Sequence, residues 1–153
     1  ARAEIEAAGR AYGFRMLARR VVRAGPEEPG FPAGTALIAL ECLHLGDGLP
    51  VMHEQRWINL GAVPAARSEA FGEQAPGEWL LAHVPWSLAE HRIRAVGAAG
   101  PVAAGLGIVP GTPCLEIARI TWDGERIITF ARLTWPGTEK VLVGRFGPAS
   151  RDG

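Results

Sequence analysis

Two stretches that flank Asp47-Gly48 carry several side chains that could bind a metal or exchange a proton. If a two-residue turn at Asp47-Gly48 joins these stretches into a hairpin, residue 44 faces residue 51 and residue 42 faces residue 53. One face of that hairpin would carry Cys42, His44, His53 and Gln55. Thiolate and imidazole groups are soft metal ligands, but this spacing matches no closed zinc pattern, so we expect no metal.

Three charged side chains occupy the opposite face of the same predicted hairpin. Glu41 and Glu54 oppose each other there, with Arg56 beside them. Like charges directly opposed across two strands are unfavourable, so a further partner is needed. Either Arg56 lies between two carboxylates on a solvated surface, or one carboxylate, such as Glu54, accepts an N–H group of a ligand in a pocket.

His91, Arg132 and Trp57 are further candidates for contact with a ligand. His91 alternates with apolar residues, which is typical of a hydrogen-bonded core histidine and also of a pocket residue. Arg132 lies in a mostly apolar stretch, where its guanidinium needs either a ligand carboxylate or a protein carboxylate such as Glu116. Most of the five tryptophans are expected to pack in a core or at its rim. One of them, for which Trp57 is the candidate, could stack on a flat ligand.

Residue patterns typical of catalysis are missing from the sequence. Ser68, Ser87 and Ser150 lie in no nucleophile-elbow pattern, and no Cys–His pair or paired-carboxylate motif stands out. The glycines between Gly105 and Gly111 end a predicted helix, whereas a dinucleotide-binding loop follows a strand and opens a helix. The residues alone therefore predict a ligand-binding domain without a cofactor, and not an enzyme.

Composition narrows the class of protein. The chain has 153 residues, which fits one domain, and 48% of them are hydrophobic, which supplies a core. Lys and Arg number 16, as do Asp and Glu, and this balance disfavours direct binding of nucleic acid. Because we find neither a membrane-spanning apolar run nor a signal-peptide pattern, we expect a cytoplasmic protein that does not contact a membrane. Cys42 and Cys114 lie in apolar runs and are expected to be reduced core thiols.

The hydrophobic pattern predicts the elements that must position these side chains. Strands are expected at 12–22, 35–45, 50–59, 87–98, 114–122, 126–135 and 140–146, and helices at 1–8, 77–84 and 101–106. Asp47-Gly48 and Asp123-Gly124 predict two hairpins. The predicted fold class is α+β, with an antiparallel sheet of about six strands and helices packed on one side of it.

Four segments, in this order, resemble the UTRA effector domain of GntR-family transcription regulators. They are HLGDGLPVMHEQRWIN (44–59), SLAEHRIRAVGA (87–98), LGIVPGTPCLEIARITWDGERIITFARL (106–133) and WPGTEKVLVGRF (135–146). The resemblance covers nearly the whole chain, from about residue 1 to residue 146. It implies a chorismate-lyase-like fold with a ligand pocket at the sheet and an effector that releases an operator.

Within that family the chain is most similar to the histidine-utilisation repressors. Leu43-His44, Glu90-His91 and the ending Gly144-Arg145-Phe146 carry the similarity, whereas Trp135 and Lys140 stand where that subfamily has His and Tyr. The resemblance implies urocanate, an imidazole with an acrylate tail, or a similar small carboxylic acid as the effector.

The same resemblance implies roles for the candidate residues. Arg132 or Arg56 would bind the carboxylate of such an effector, because a guanidinium binds a carboxylate through two parallel hydrogen bonds. Glu54, His44 or His91 would bind its imidazole N–H.

The resemblance also implies how the chain is organised. Residues 1–12 would be the tail of a linker or first helix, 13–147 the effector-binding domain and 148–153 a disordered tail, with an N-terminal winged-helix DNA-binding domain absent from this chain. The implied function is ligand sensing and homodimerisation in a repressor of histidine utilisation, which would contact operator DNA only through the absent domain. A chorismate-lyase-like enzyme and a dimerisation module without a ligand are the alternatives, because a fold does not fix a function.

Overall fold

The computed structural model describes residues 1–26, 28 and 30–148, and these form an α+β fold around one antiparallel sheet. The strands are β1 (Tyr12–Arg23), β2 (Ala36–Gly46), β3 (Leu49–Asn59), β4 (Leu88–Gly97), β5 (Pro113–Asp123) and β6 (Arg126–Pro136). The helices are α1 (Arg2–Ala7), α2 (Pro76–His83) and α3 (Gly100–Leu106), and a 3₁₀ turn spans Pro64–Arg67. The predicted fold class is confirmed.

Six strands lie in the order β1-β2-β3-β6-β5-β4, and every neighbouring pair is antiparallel. Two hairpins, β2–β3 and β5–β6, lie side by side at the centre because β3 pairs with β6. The outer strands β1 and β4 each have one neighbour in this sheet. The central strands are therefore the ones that can build a site buried from both sides.

The turn of the first hairpin lies at the predicted position, but the pairing beyond it does not. Asp47 and Gly48 have φ values of 50° and 79°, the positive values that a two-residue hairpin turn of this hand requires. Leu45 pairs with Pro50, whereas His44 pairs with Met52, so one extra residue bulges between the two pairs. A one-residue slip moves side chains to the other face of a strand.

This bulge changes which side chains meet. Cys42 opposes Glu54, so Cys42 and His44 share a face with Glu54 and Arg56. The prediction that Glu54 and Arg56 lie on the opposite face from His44 is wrong. We call the face that carries these four residues the cavity face.

Helices cover both faces of the sheet. Ile5 of α1 packs with Met52 and Leu133 on the cavity face, and Trp79 of α2 packs with Ile58 there. The other face, which we call the α3 face, carries Leu43 and His53. Leu106 of α3 packs against Leu43, and a Cβ on Gly105 would lie 3.2 Å from the His53 ring. The prediction that the helices lie on one side is therefore wrong.

Two further predictions fail near the end of the chain. The second hairpin turns at Gly124-Glu125, one residue later than predicted, because Asp123 pairs with Arg126. Residues 141–147 form neither helix nor strand, although a strand was predicted at 140–146. Of the predicted disordered tail, 149–153 lie outside the described residues.

Cys42 and Cys114 are buried free thiols, as predicted. Burial raises the pKa of both thiols, so both stay protonated at neutral pH. Among the described residues, no helix is long and apolar enough to cross a membrane.

Candidate functional site

A chain of hydrogen bonds crosses four neighbouring strands on the cavity face. The Tyr12 hydroxyl lies 2.8 Å from Nδ1 of His44, and Nε2 of His44 lies 2.9 Å from Oε1 of Glu54. Nε of Arg56 donates to Oε2 of Glu54 at 2.7 Å, and its Nη1 donates to the Thr129 hydroxyl at 3.2 Å. The polar groups of β1, β2, β3 and β6 are thereby held in fixed positions before any ligand binds.

Glu54 is the anionic centre of this hydrogen-bond chain. Its side chain is only 3% exposed. Burial would raise the pKa of Glu54, but the Arg56 guanidinium and then the His44 ring outweigh burial and hold the pKa well below its usual range. An ionised carboxylate only accepts hydrogen bonds, so Nε2 of His44 is protonated and donates its N–H to Glu54.

Arg119 on β5 differs from Arg56 in its partner, which is a histidine and not a carboxylate. Its Nε donates to Nε2 of His91 on β4 at 2.9 Å, and among the described residues it forms no salt bridge. Burial and the nearby Arg56 lower the pKa of Arg119, which means that its charged form is destabilised where it lies. A half-buried guanidinium in this state favours binding of an anion.

His91 orients this guanidinium. Because its Nε2 accepts the Arg119 hydrogen bond, the ring is neutral and carries its proton on Nδ1. Partial burial and then Arg119 lower the pKa of His91, which keeps the ring neutral at physiological pH. With Nε engaged, the two terminal nitrogens of Arg119 remain to bind a ligand.

Arg56 and Arg119 flank one position on the sheet. Both pair with Ala131, Arg56 from β3 and Arg119 from β5, so they lie in one cross-strand row with a methyl group between them. Two strand spacings separate their backbones by about 10 Å. Both arginines line the same cavity, whereas Ala131 is fully buried.

A cavity of about 230 Å³ opens above this row. Its apolar floor consists of Met52, Ile117, Leu133 and Trp135, which lie next to the arginine row, and Thr121 and Thr129 line its other side. Ala75, Gly77 and Glu78 bring the first turn of α2 to its wall. A Cβ on Gly77 would lie 3.2 Å from Nη2 of Arg56, so the absence of a side chain lets α2 approach the guanidinium.

The roof of the cavity is α1, and two ion pairs attach it to the rest of the domain. Nε of Arg2 lies 3.0 Å from Oε1 of Glu78, and Nζ of Lys140 lies 2.8 Å from Glu4. Nζ of Lys140 also lies 4.6 Å from the centre of the Trp135 ring. The charged side chains of the roof are thus paired with each other or with α2.

Three of the six predicted ligand-binding residues line this cavity, and a fourth lies next to it. His44, Glu54 and Arg56 lie in its wall. His91, which was interpreted as either a core or a pocket histidine, is exposed on the edge strand and reaches the site through Arg119. The ligand-binding roles of these residues stay predictions.

Trp57 and Arg132 lie on the α3 face, away from the cavity. The Arg132 guanidinium lies 5.2 Å from the Phe130 ring centre and 5.7 Å from that of Trp57. It forms no salt bridge with Glu116, because the register of the second hairpin pairs Arg132 with Ala118 and Glu116 with Thr134. Cation–π contacts replace the carboxylate partner that was expected for this guanidinium.

Sequence reasoning missed Arg119. It lies in Glu116–Trp122, where apolar and polar residues alternate and a single arginine among isoleucines did not stand out. The signal that would have identified it is its position: Arg119 shares one strand face with the apolar Leu115 and Ile117, which indicates a face packed on the core.

Metal ligands do not cluster in the described part of the chain. His53, which was predicted to share a face with His44, instead pairs with Glu41 on the α3 face at 2.9 Å. Cys42 bonds Met16 through sulfur at 3.7 Å. These contacts separate the side chains that were considered as a soft metal site.

Comparisons with known proteins give a consistent assignment. The family model described as "UTRA domain" matches residues 7–139. A histidine utilization repressor of Pseudomonas putida is 32% identical over 146 residues, which are 94% of this chain and 59% of that protein. A histidine utilization repressor of Klebsiella aerogenes is 34% identical over 116 residues, 76% of this chain and 48% of that protein. The chain thus spans only about half of these curated relatives.

Solved structures show the same fold. The C-terminal domain of a histidine utilization repressor from Pseudomonas syringae superposes with a TM-score of 0.82 at 29% identity, covering 90% of this chain and 99% of that one. The effector domain of PhnF from Mycobacterium smegmatis superposes with a TM-score of 0.81 at 19% identity, covering 94% and 91%. The second likeness concerns the fold alone.

Proposed function

The chain belongs to the UTRA domain family, and from that premise we propose that it is the effector-sensing domain of a GntR-family repressor of histidine utilisation. The names of the relatives support the regulatory role. The effector we propose is urocanate or a similar small, flat monocarboxylic acid.

The positive charge of Arg119, which no carboxylate balances among the described residues, is the observation that supports this choice of ligand. The cavity is lined by four basic side chains, and three of them, Arg2, Arg56 and Lys140, form salt bridges with Glu78, Glu54 and Glu4. Arg119 is the one left without a carboxylate partner among the described residues. A ligand with a single negative charge balances this site, whereas a phosphate dianion would require a second free cation.

The shape of the cavity supports a small, flat ligand. Its volume of about 230 Å³ is below the range of about 300–1,000 Å³ that is usual for drug-sized ligands. Met52, Ile117 and Leu133 form an apolar surface on which a planar ring can lie beside the arginine row. The carboxylate would bind between Arg56 and Arg119, and a ring N–H would face Glu54, whose oxygens can each accept a further hydrogen bond.

A sensor fits these residues better than an enzyme does. Both oxygens of Glu54 and both ring nitrogens of His44 already bond to protein groups. Neither residue is therefore free to take a proton from a ligand and return it. This argues against the chorismate-lyase-like alternative.

The proposed full-length protein is a cytoplasmic homodimer. Its winged-helix domain would bind operator DNA, and effector binding would release the operator. The effector can do so only if it binds two arrangements of the protein with unequal affinity.

Thermal melting against a panel of acids tests the proposal. The panel contains urocanate, histidine, imidazole propionate, glucosamine 6-phosphate and chorismate. A ligand at about 100 times its dissociation constant adds about 2.7 kcal/mol to the free energy of unfolding. We expect a selective rise with urocanate or imidazole propionate. A rise with the sugar phosphate alone would retain the sensor and refute the monocarboxylate, and no rise would favour the dimerisation module.

A further inference from the structure

The cavity continues on the far side of the arginine row, next to α2. Apolar side chains line this part, which we call the α2 side of the cavity: Leu80 and Leu81 of α2, Val84 and Trp86 of the connection that follows it, and Ile128 of β6. Leu81 and Trp86 are 71% and 52% exposed, so they form the rim and do not belong to the core. The ring of the proposed effector would occupy the opposite side, so the α2 side receives any group attached next to the carboxylate.

Trp86 is held at this rim by the backbone on either side of it. The N–H of Val84 donates to a carbonyl of α2 at 2.9 Å, and the N–H of Ser87 donates to the Trp122 carbonyl of β5 at 2.8 Å. Only residues 85 and 86 lie between these two anchors. The indole therefore stays beside the cavity, and its apolar surface meets whatever enters there.

The charges that line the cavity leave no partner for a cation. Three carboxylates of the described chain line it, and each already forms an ion pair: Glu54 with Arg56, Glu78 with Arg2 and Glu4 with Lys140. The Thr121 hydroxyl has no hydrogen-bond partner among the described residues, but it is neutral and balances no charge. The excess positive charge of Arg119 is balanced by a monocarboxylate and is left unbalanced by a zwitterion.

An ammonium group next to the bound carboxylate would meet only positive and apolar neighbours. In the proposed function, on which this step depends, the carboxylate lies between Arg56 and Arg119, so a cation on the neighbouring carbon is close to like charges. Its remaining contacts are with the apolar α2 side, and an ammonium group that loses water without gaining a partner is strongly destabilised. We infer that Trp86 is a specificity-determining residue, which together with Leu81 and Val84 makes the cavity select carboxylic acids that lack an ammonium group on the neighbouring carbon.

Isothermal titration calorimetry with imidazole propionate and histidine tests this selectivity. The two acids share the ring, the chain length and the carboxylate, and they differ only in the ammonium group. Wild type is expected to bind imidazole propionate at least about 100-fold more tightly, because a charged group that is desolvated without a partner is costly.

Trp86→Glu tests the role of the indole by placing a carboxylate at the rim. We expect the preference for imidazole propionate to fall about tenfold, because the new carboxylate attracts the ammonium group of histidine and repels an acid without one. Trp86 is half-exposed, so the variant should fold, and a melt without ligand checks this. Leu88→Glu is the matched control: Leu88 is 58% exposed but lies three residues before His91 in β4, on the α3 face, and should keep the wild-type preference.

The outcomes separate this inference from the proposed function. Equal affinity of the wild type for the two acids, or tighter binding of histidine, would overturn the inference and leave the carboxylate site in place. An unchanged preference in Trp86→Glu, or an equal change in Leu88→Glu, would overturn the role of Trp86. A wild type that binds neither acid would refute the proposed ligand class and this inference with it.

Discussion

Replacing Arg119 with Met should separate ligand binding from stability. Methionine keeps an unbranched apolar side chain but removes the guanidinium, which lies half-buried without a carboxylate partner among the described residues. If Arg119 exists to bind an anion, the variant loses affinity while its unliganded stability does not fall. A residue with a structural role would show the opposite result.

The expected size of the loss follows from the bonds that Arg119 can make. A hydrogen bond to a charged group contributes about 1.5–3 kcal/mol, which corresponds to about 10- to 150-fold in affinity. Arg56 remains as a second cation, but its Nε and Nη1 are engaged by Glu54 and Thr129, so it compensates only in part. Unliganded stability should stay within about 0.5 kcal/mol of wild type, because no ion pair is broken.

Isothermal titration calorimetry with urocanate and a melt without ligand measure the two quantities. Arg132→Met is the matched control, since Arg132 lies on the α3 face against Phe130 and Trp57. We expect wild-type affinity for the control. Wild-type affinity in Arg119→Met, or an equal loss in both variants, would refute the assignment of Arg119 to the carboxylate site.

Three other changes probe the rest of the site. Glu54→Gln leaves Arg56 without its buried partner and should lower the free energy of unfolding by about 3–5 kcal/mol in urea melts, whereas Glu116→Gln on the α3 face should change it little. Because the pKa of Glu54 is lowered on folding, its contribution is present above about pH 4.5, the unfolded value, and is lost as pH falls below it. Stability should therefore fall less steeply between pH 5 and pH 3 in Glu54→Gln than in wild type, and equal slopes would contradict this. Gly77→Ala brings a methyl to 3.2 Å from Nη2 of Arg56 and should weaken ligand binding several-fold without unfolding, whereas Gly100→Ala in α3 meets nothing within 4 Å and should bind normally.

The positions of the six strands along the chain and the first turn follow from the sequence, but the faces of the first hairpin do not. Asp47-Gly48 has the residue types that a turn with two positive φ values demands, so the turn itself was predictable. The bulge after Pro50 carries no comparable signal, and it reverses every side chain beyond it. Glu54 and His44 were therefore assigned to opposite faces, although they form a hydrogen bond of 2.9 Å.

Two other features depend on parts of the structure that local patterns do not describe. Arg132 and Arg119 look alike in sequence, each an arginine in an apolar strand, and only the register of β5 with β6 assigns them to opposite faces. The strand predicted at 140–146 has the right composition but no neighbouring strand among the described residues. A strand forms only where an edge accepts it, so composition alone does not produce one.

The two sides of the cavity are held with unequal strength, and this limits how the sensor can respond. The floor is locked by a buried hydrogen-bond chain, whereas α1 is held by the packing of Ile5 and by ion pairs, of which Arg2–Glu78 has side chains 42% and 35% exposed. Pairs of this kind contribute about 0.2–1 kcal/mol, so exchanging one of them for a bound anion changes the population of a displaced α1 by about fivefold at most. A switch from 1:99 to 99:1 needs about 5.5 kcal/mol. A single domain should therefore give a graded output over a wide range of effector concentration, and any sharp threshold must arise where domains act together.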